Sequence, residues 1–206
     1  MRLIPLASLA AAAFAVHSVA LAADAAAPAS LPAVPADKAQ IVFVDPANGI
    51  ANAFPPAVYD VTPGQPRAFL VKMGAHVNAP TVIEPGHHLL MVRTGVVTQF
   101  LDATIEAGHR YYVLVRFIYG HGFQLRPLQP GLPATSEYST ANPKFKDWLG
   151  DAEWRTHSDE YPQGTDPAKF ASRLDEHQAA GLAEWNAKSP EQKAELTLTP
   201  ADAVDH

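Results

Sequence analysis

Residues Tyr111–Tyr119 constrain the fold more than any other stretch, because both of their alternating faces are apolar. In an extended strand Tyr111, Val113, Val115, Phe117 and Tyr119 fall on one side, and Tyr112, Leu114, Arg116 and Ile118 on the other. Such a strand is central and covered on each side, as in a sandwich or in a sheet with a second layer supplied from elsewhere in the chain. His87–Thr94 has the same character, with Leu89 and Met91 on one face and Leu90 and Val92 on the other.

Around these two segments the chain is a series of short β-branched and aromatic runs cut by Pro, Gly and Asn. The predicted strands are Ala39–Val44, Ala57–Val61, Arg67–Met73, Pro80–Ile83, His87–Thr94, Val97–Ile105, Tyr111–Tyr119 and Phe123–Leu128. Asp45-Pro46-Ala47-Asn48-Gly49, Thr62-Pro63-Gly64, Glu84-Pro85-Gly86 and Glu106-Ala107-Gly108 supply the turns, through preset φ angles and residues tolerant of positive φ. After Pro130 the spacing becomes helical. Asn142-Pro143 can cap a helix carrying Phe145, Trp148 and Leu149, and Asp166-Pro167 opens a longer one with Phe170, Leu174, His177, Gly181 and Trp185 along one stripe. Ser189-Pro190-Glu191-Gln192 matches a capping box. The expected fold is mainly β: an antiparallel β-sandwich of seven or eight strands over 38–130, followed by short C-terminal α-helices over 131–206 that pack on the sheet.

Residues 1–22 carry one cation, Arg2, before an apolar Ala-rich run ending Ala20-Leu21-Ala22, the pattern of a cleaved signal peptide. An uncleaved anchor is the alternative, but Pro5, Ser8, His17 and Ser18 interrupt a run already short for a span. Residues 23–37 read as an extended Ala/Pro linker. The chain has no Cys, so it holds no disulfide and lacks the thiol of a lipoprotein anchor. Removing Arg2 leaves 14 Lys+Arg against 21 Asp+Glu, a formal charge of −7, which argues against nucleic acid as a partner. The expected location is periplasmic or secreted, without a stable membrane span after signal cleavage, and the expected state is monomeric.

The motif Pro85-Gly86-x-His88, an apolar strand, and then Ala107-Gly108-x-x-Tyr111-Tyr112 resembles the bacterial envelope proteins grouped as domain of unknown function 2846. It is distantly similar to PEGA-type surface β-domains as well. The likeness spans roughly residues 39–128 and implies a β-sandwich envelope module without an established activity, its first motif forming a hairpin corner.

His88, His109 and His121 lie near strand ends, and imidazole is a common zinc or copper ligand in exported proteins without thiols. His87 joins them in sequence but points to the opposite face from His88. The blander reading makes His88 a corner residue bonding a turn carbonyl and leaves the others solvated. Asp102, Lys72, Arg93 and Arg116 interrupt apolar strands, where a part-buried charged cluster serves acid–base work or, more often, charges pair with one another. Tyr111, Tyr112, Tyr119, Trp148, Trp154 and Trp185 are candidates for a sugar or peptidoglycan platform, with core packing as the default for aromatics at this spacing. Tyr112, Trp154 and His157, together with the Asp151–Asp166 loop, form the expected partner-binding surface. No nucleophile elbow, triad order or phosphate loop is present. The expected function is a non-catalytic binding or assembly module of the envelope, needing no cofactor, with an envelope protein or glycan as partner. A periplasmic zinc or copper protein using His88, His109 and His121, and a hydrolase of an envelope polymer, are the alternatives.

Overall fold

The computed structural model describes residues 31–46, 53–95, 97–156, 159–160 and 167–204; the signal segment 1–22 and most of the 23–37 linker lie outside these described residues. Eight strands follow one another: β1 (Ala39–Asp45), β2 (Ala57–Asp60), β3 (Ala68–Lys72), β4 (Val77–Ile83), β5 (Gly86–Thr94), β6 (Val97–Ile105), β7 (Arg110–Ile118) and β8 (Gly122–Leu128). The remainder contains α1 (Pro143–Asp151), β9 (Glu153–Trp154), α2 (Pro167–Ala187), α3 (Pro190–Ala194) and β10 (Thr197–Leu198), closing on a single 3-10 turn over Pro200–Asp202.

The strands form two five-stranded sheets, ordered β8-β7-β1-β4-β9 and β10-β6-β5-β2-β3. The expectation of a purely antiparallel arrangement is corrected here, because both sheets are mixed. β1 runs parallel to β7, β9 to β4 and β10 to β6. Among the described residues only β2–β3, β5–β6 and β7–β8 are hairpins between neighbouring strands; the Glu84-Pro85 corner, expected as a hairpin, instead carries the chain from the first sheet to the second. A Pro-Gly pair sets local backbone angles but does not decide whether the next strand pairs with the last one or crosses to the other layer.

The two sheets meet through one core. Ile41, Phe43, Tyr111, Val113 and Phe123 come from the first sheet, and Val58, Leu90, Val92 and Leu101 from the second. The opposite faces of the same strands are apolar as well, and each has its own cover. On the first sheet Val42, Val44, Tyr112 and Leu114 pack under Phe145, Trp148 and Leu149 of α1. On the second, Tyr59, Leu89, Met91 and Phe100 pack under Leu174 and Trp185 of α2. Burying a Leu or an aromatic side chain contributes about 1.5–3 kcal/mol each, which explains why helices cap both sheets.

The helices begin where their sequences direct. Asn142 accepts from the Lys144 amide ahead of Pro143, and Ser189 and Gln192 exchange both bonds of a capping box. The approach of α2 to the sheet depends on Gly181: a Cβ there would lie 2.0 Å from Thr98 Oγ1 and 2.9 Å from the Phe100 ring. Thr98 Oγ1 also donates to the His177 carbonyl at 2.9 Å, pinning the helix to β6. No helix among the described residues is long and apolar enough to cross a membrane.

Candidate functional site

The strands define two ends of the sheet pair. At one end lie the β4–β5 and β6–β7 corners; at the other lie the β5–β6 and β7–β8 hairpins.

At the corner end, His88 Nδ1 is 2.7 Å from Asp60 Oδ2 and its Nε2 is 2.8 Å from the Glu84 carbonyl oxygen. An imidazole facing an oxygen acceptor at each nitrogen donates from both, so this geometry selects the imidazolium. Burial by itself pushes the His88 pKa down, but the bonds to Asp60 and to the Glu84 carbonyl outweigh it and hold the pKa above its ordinary 6.5. Burial likewise pushes Asp60 up, and the bonds from His88 and Thr62 overcome it, holding the carboxyl below its ordinary 3.8. Thr62 completes the lock. Its hydroxyl donates to Asp60 Oδ1 at 2.5 Å and accepts from the Leu89 amide at 3.0 Å. The Pro85-Gly86-x-His88 motif therefore ties β2, β5 and the inter-sheet corner together, with Gly86 at φ 132°, a backbone state that L side chains rarely adopt. The second motif acts similarly. The Tyr111 hydroxyl accepts from the Glu106 amide at 3.0 Å, and the Gly108 amide donates to the Lys38 carbonyl at 2.7 Å.

The structure does not bring His88, His109 and His121 together. Both nitrogens of His88 are engaged, while His109 immediately precedes β7 and His121 follows it in the β7–β8 turn. At about 3.3 Å per residue, the length of β7 puts roughly 30 Å between the other two. Among the described residues there is no group of three or more His, Asp or Glu able to hold a metal ion. The charges that interrupt the strands are dispersed rather than clustered. His87 pairs with Asp102 at 2.6 Å on the open sheet surface, and Arg93 lies 5.1 Å over the Phe170 ring with its Nε 3.3 Å from His177. Arg116 pairs with Glu137 at 3.1 Å and bonds the Tyr138 hydroxyl, and Lys72 is half-buried in β3.

The residues of the expected partner surface lie in three different settings. Tyr112 is 1% exposed and meets Phe145 edge-on at 5.0 Å, because it lies on the face of β7 that α1 covers. Burial raises its hydroxyl pKa. Trp154 is half-buried: β9 pairs it with Asn78 of β4, and its ring joins the cluster under α1. His157 lies outside the described residues, as does much of the Asp151–Asp166 loop. Of the other candidate aromatics, Tyr111 and Trp185 are buried and Trp148 packs into the α1 cluster.

Tyr119 is the exception, 93% exposed at the tip of the β7–β8 hairpin. Directly beside this tip, α2 and the sheet edge enclose a cleft of about 260 Å³. Ile118 and His121 line it from the hairpin, Gln99 and Gln124 from β6 and β8, Glu184 from α2, and Lys188 from just beyond the end of α2. Phe100 and Trp185, both buried with ring centroids 6.2 Å apart, back its inner wall. The hairpin is held close to β6: a Cβ on Gly122, at φ 72°, would lie 3.2 Å from the Val97 side chain. Gln99 Nε2 donates to the His121 carbonyl at 2.9 Å. A second cavity, of about 220 Å³, is lined in part by Arg67, which pairs with Asp175 at 2.6 Å and bonds Gln178 at 3.1 Å. Sequence reasoning named Tyr119 only as one of six aromatics. The cleft itself carried one faint signal, the glycine at position 181 inside an apolar helical stripe.

No protein-family model matches this chain, and no curated protein matches it significantly.

Proposed function

We propose that this is an exported, non-catalytic binding or assembly module of the bacterial envelope, whose contact surface is the β7–β8 hairpin tip with the adjoining cleft. Export is read from the Arg2-led apolar segment at residues 1–22. The paired sheets are read as a sandwich framework, an architecture that presents binding loops at its ends. The single observation carrying the proposal is Tyr119, whose ring is 93% exposed in a chain that covers both outer sheet faces with helices. A large aromatic ring kept in water recovers hydrophobic free energy when a partner covers it. One projecting ring beside a small cleft suits a monomer that recognises a partner locally. A photo-reactive residue placed at position 119, with position 85 at the opposite end as control, tests this in the native envelope. One defined adduct from 119 and none from 85 is the expected result. No adduct from 119, or the same adducts from both positions, overturns the proposal.

A further inference from the structure

We infer that the cleft between α2 and the sheet edge is a subsite for one neutral sugar residue of a glycan, and that Tyr119 stacks on the next residue of that chain. The inference rests on the proposed binding role of this end and names the ligand class. Volume sets the first limit. At about 260 Å³ the cleft falls just below the range of drug-sized ligand sites and admits one small ring. Charge sets the second. Glu184 and Lys188 place one carboxylate and one ammonium on the same rim, so their fields oppose each other and select neither a phosphate nor a polycation.

The donors and acceptors fit hydroxyl groups. A hydroxyl both donates and accepts, and the rim offers a carboxylate acceptor, an ammonium donor and two side-chain amides that do both. One amide is under-used: Gln124 Nε2 reaches Gln99 Oε1 at 3.3 Å, while Gln124 Oε1 is buried with no hydrogen-bond partner. Turning that amide toward a ligand hydroxyl satisfies an acceptor that the protein leaves unpaired. Phe100 and Trp185, 1% and 7% exposed, close the inner wall with buried apolar packing, and the aromatic face open to a sugar ring is that of Tyr119. The site is preformed, because Gly181 seats α2 on Thr98 and Lys193 Nζ sits 5.5 Å over the other aromatic partner, Trp185. Tyr119 stands one residue beyond Ile118, which lines the cleft, so a linear ligand leaving the cleft along the hairpin meets the exposed ring.

The test is an amide-resonance NMR titration of the protein with N-acetylglucosamine, its linear trisaccharide and maltotriose, each up to about 10 mM, well into the weak-binding range. The expected result is saturable shifts confined to Thr98–Phe100, Ile118–Gln124 and Gly181–Lys188. Tyr119→Ala is expected to weaken the bound trisaccharide about tenfold, the factor that one stacking contact supplies, and to leave the monosaccharide unchanged. Absence of saturable shifts with all three sugars, or shifts centred elsewhere, overturns the inference. A protein adduct from position 119 together with silent titrations removes the sugar and keeps the binding module, whereas silence in both experiments removes both.

Discussion

The two ends of the sheet pair use their polar side chains in opposite ways. At the corner end, His88, Asp60 and Thr62 bond one another, the Glu84 carbonyl and the Leu89 amide, and all three are buried. At the hairpin end, Tyr119 and His121 face solvent, and the Gln124 amide oxygen has no partner. The corner end contains the more chemical-looking residues, a histidine and a carboxylate in contact, yet both nitrogens of His88 and both oxygens of Asp60 are already bonded within the fold. Chemical capacity lies in groups left over after the fold has been satisfied. In this chain those groups collect around a hairpin tip and a helix that approaches closely at one glycine.

The comparison breaks most readily at the lock. His88→Ala leaves the Asp60 carboxylate buried without its cation, and removing one partner of such a pair costs about 3 kcal/mol. Urea unfolding measures this directly, and a loss below about 1 kcal/mol would show that the corner does not depend on the pair. The pH dependence follows from the two shifts. His88 has a raised pKa, so its contribution is complete below 6.5 and is lost as pH rises through the folded value. Asp60 has a lowered pKa, so its contribution is complete above 3.8 and is lost as pH falls through the folded value. Both contributions are complete between these limits, and stability measured from pH 6 to 9 is expected to decline. A His88→Gln variant is expected to flatten that decline; an unchanged slope would place its origin elsewhere.

Gly181→Ala comes next. Its Cβ overlaps Thr98 Oγ1, so α2 must move out or the site must absorb the clash, at about 2 kcal/mol. Trp185 lies one turn further along this helix, buried against Phe100, and its fluorescence is expected to shift red as the seat opens. An unchanged spectrum and stability would mean that the close approach is not a constraint. The smallest effect on stability belongs to Tyr119→Ala, expected within about 0.5 kcal/mol of the parent because the ring packs on so little of the protein. A large loss there would turn the tip from a contact surface into a structural element.

Much of the fold was legible because local chemistry wrote it. The eight strands β1–β8 stand close to the β-branched and aromatic runs of the sequence, except that β4 begins at Val77 and runs through Pro80, its expected start, and the caps at Asn142 and Ser189 follow from their own sequences. The two-faced apolarity of Tyr111–Tyr119 foretold layers on both sides, and the helices supply the outer ones. Pairing was not legible. β1 lies beside β7, some seventy residues away in the chain, and β9 and β10 are two-residue strands with no periodicity to betray them. The candidate site divided in the same way. His88 bonding a turn carbonyl was readable from its corner, whereas Asp60, 28 residues earlier, gave no local sign of contact with it. Tyr112 and Tyr119 look alike in sequence, and only the position of α1 decides that one is sealed under Phe145 while the other stands in water.

The central claim, that the hairpin end is the working surface and the corner end a structural lock, is tested most directly by hydroxyl-radical footprinting of the protein in its native envelope and after purification. The account predicts that Tyr119 and His121 lose reactivity in the envelope while exposed Pro85 and His87 react equally in both states. Protection at Pro85 and His87 with an unprotected Tyr119 would contradict it.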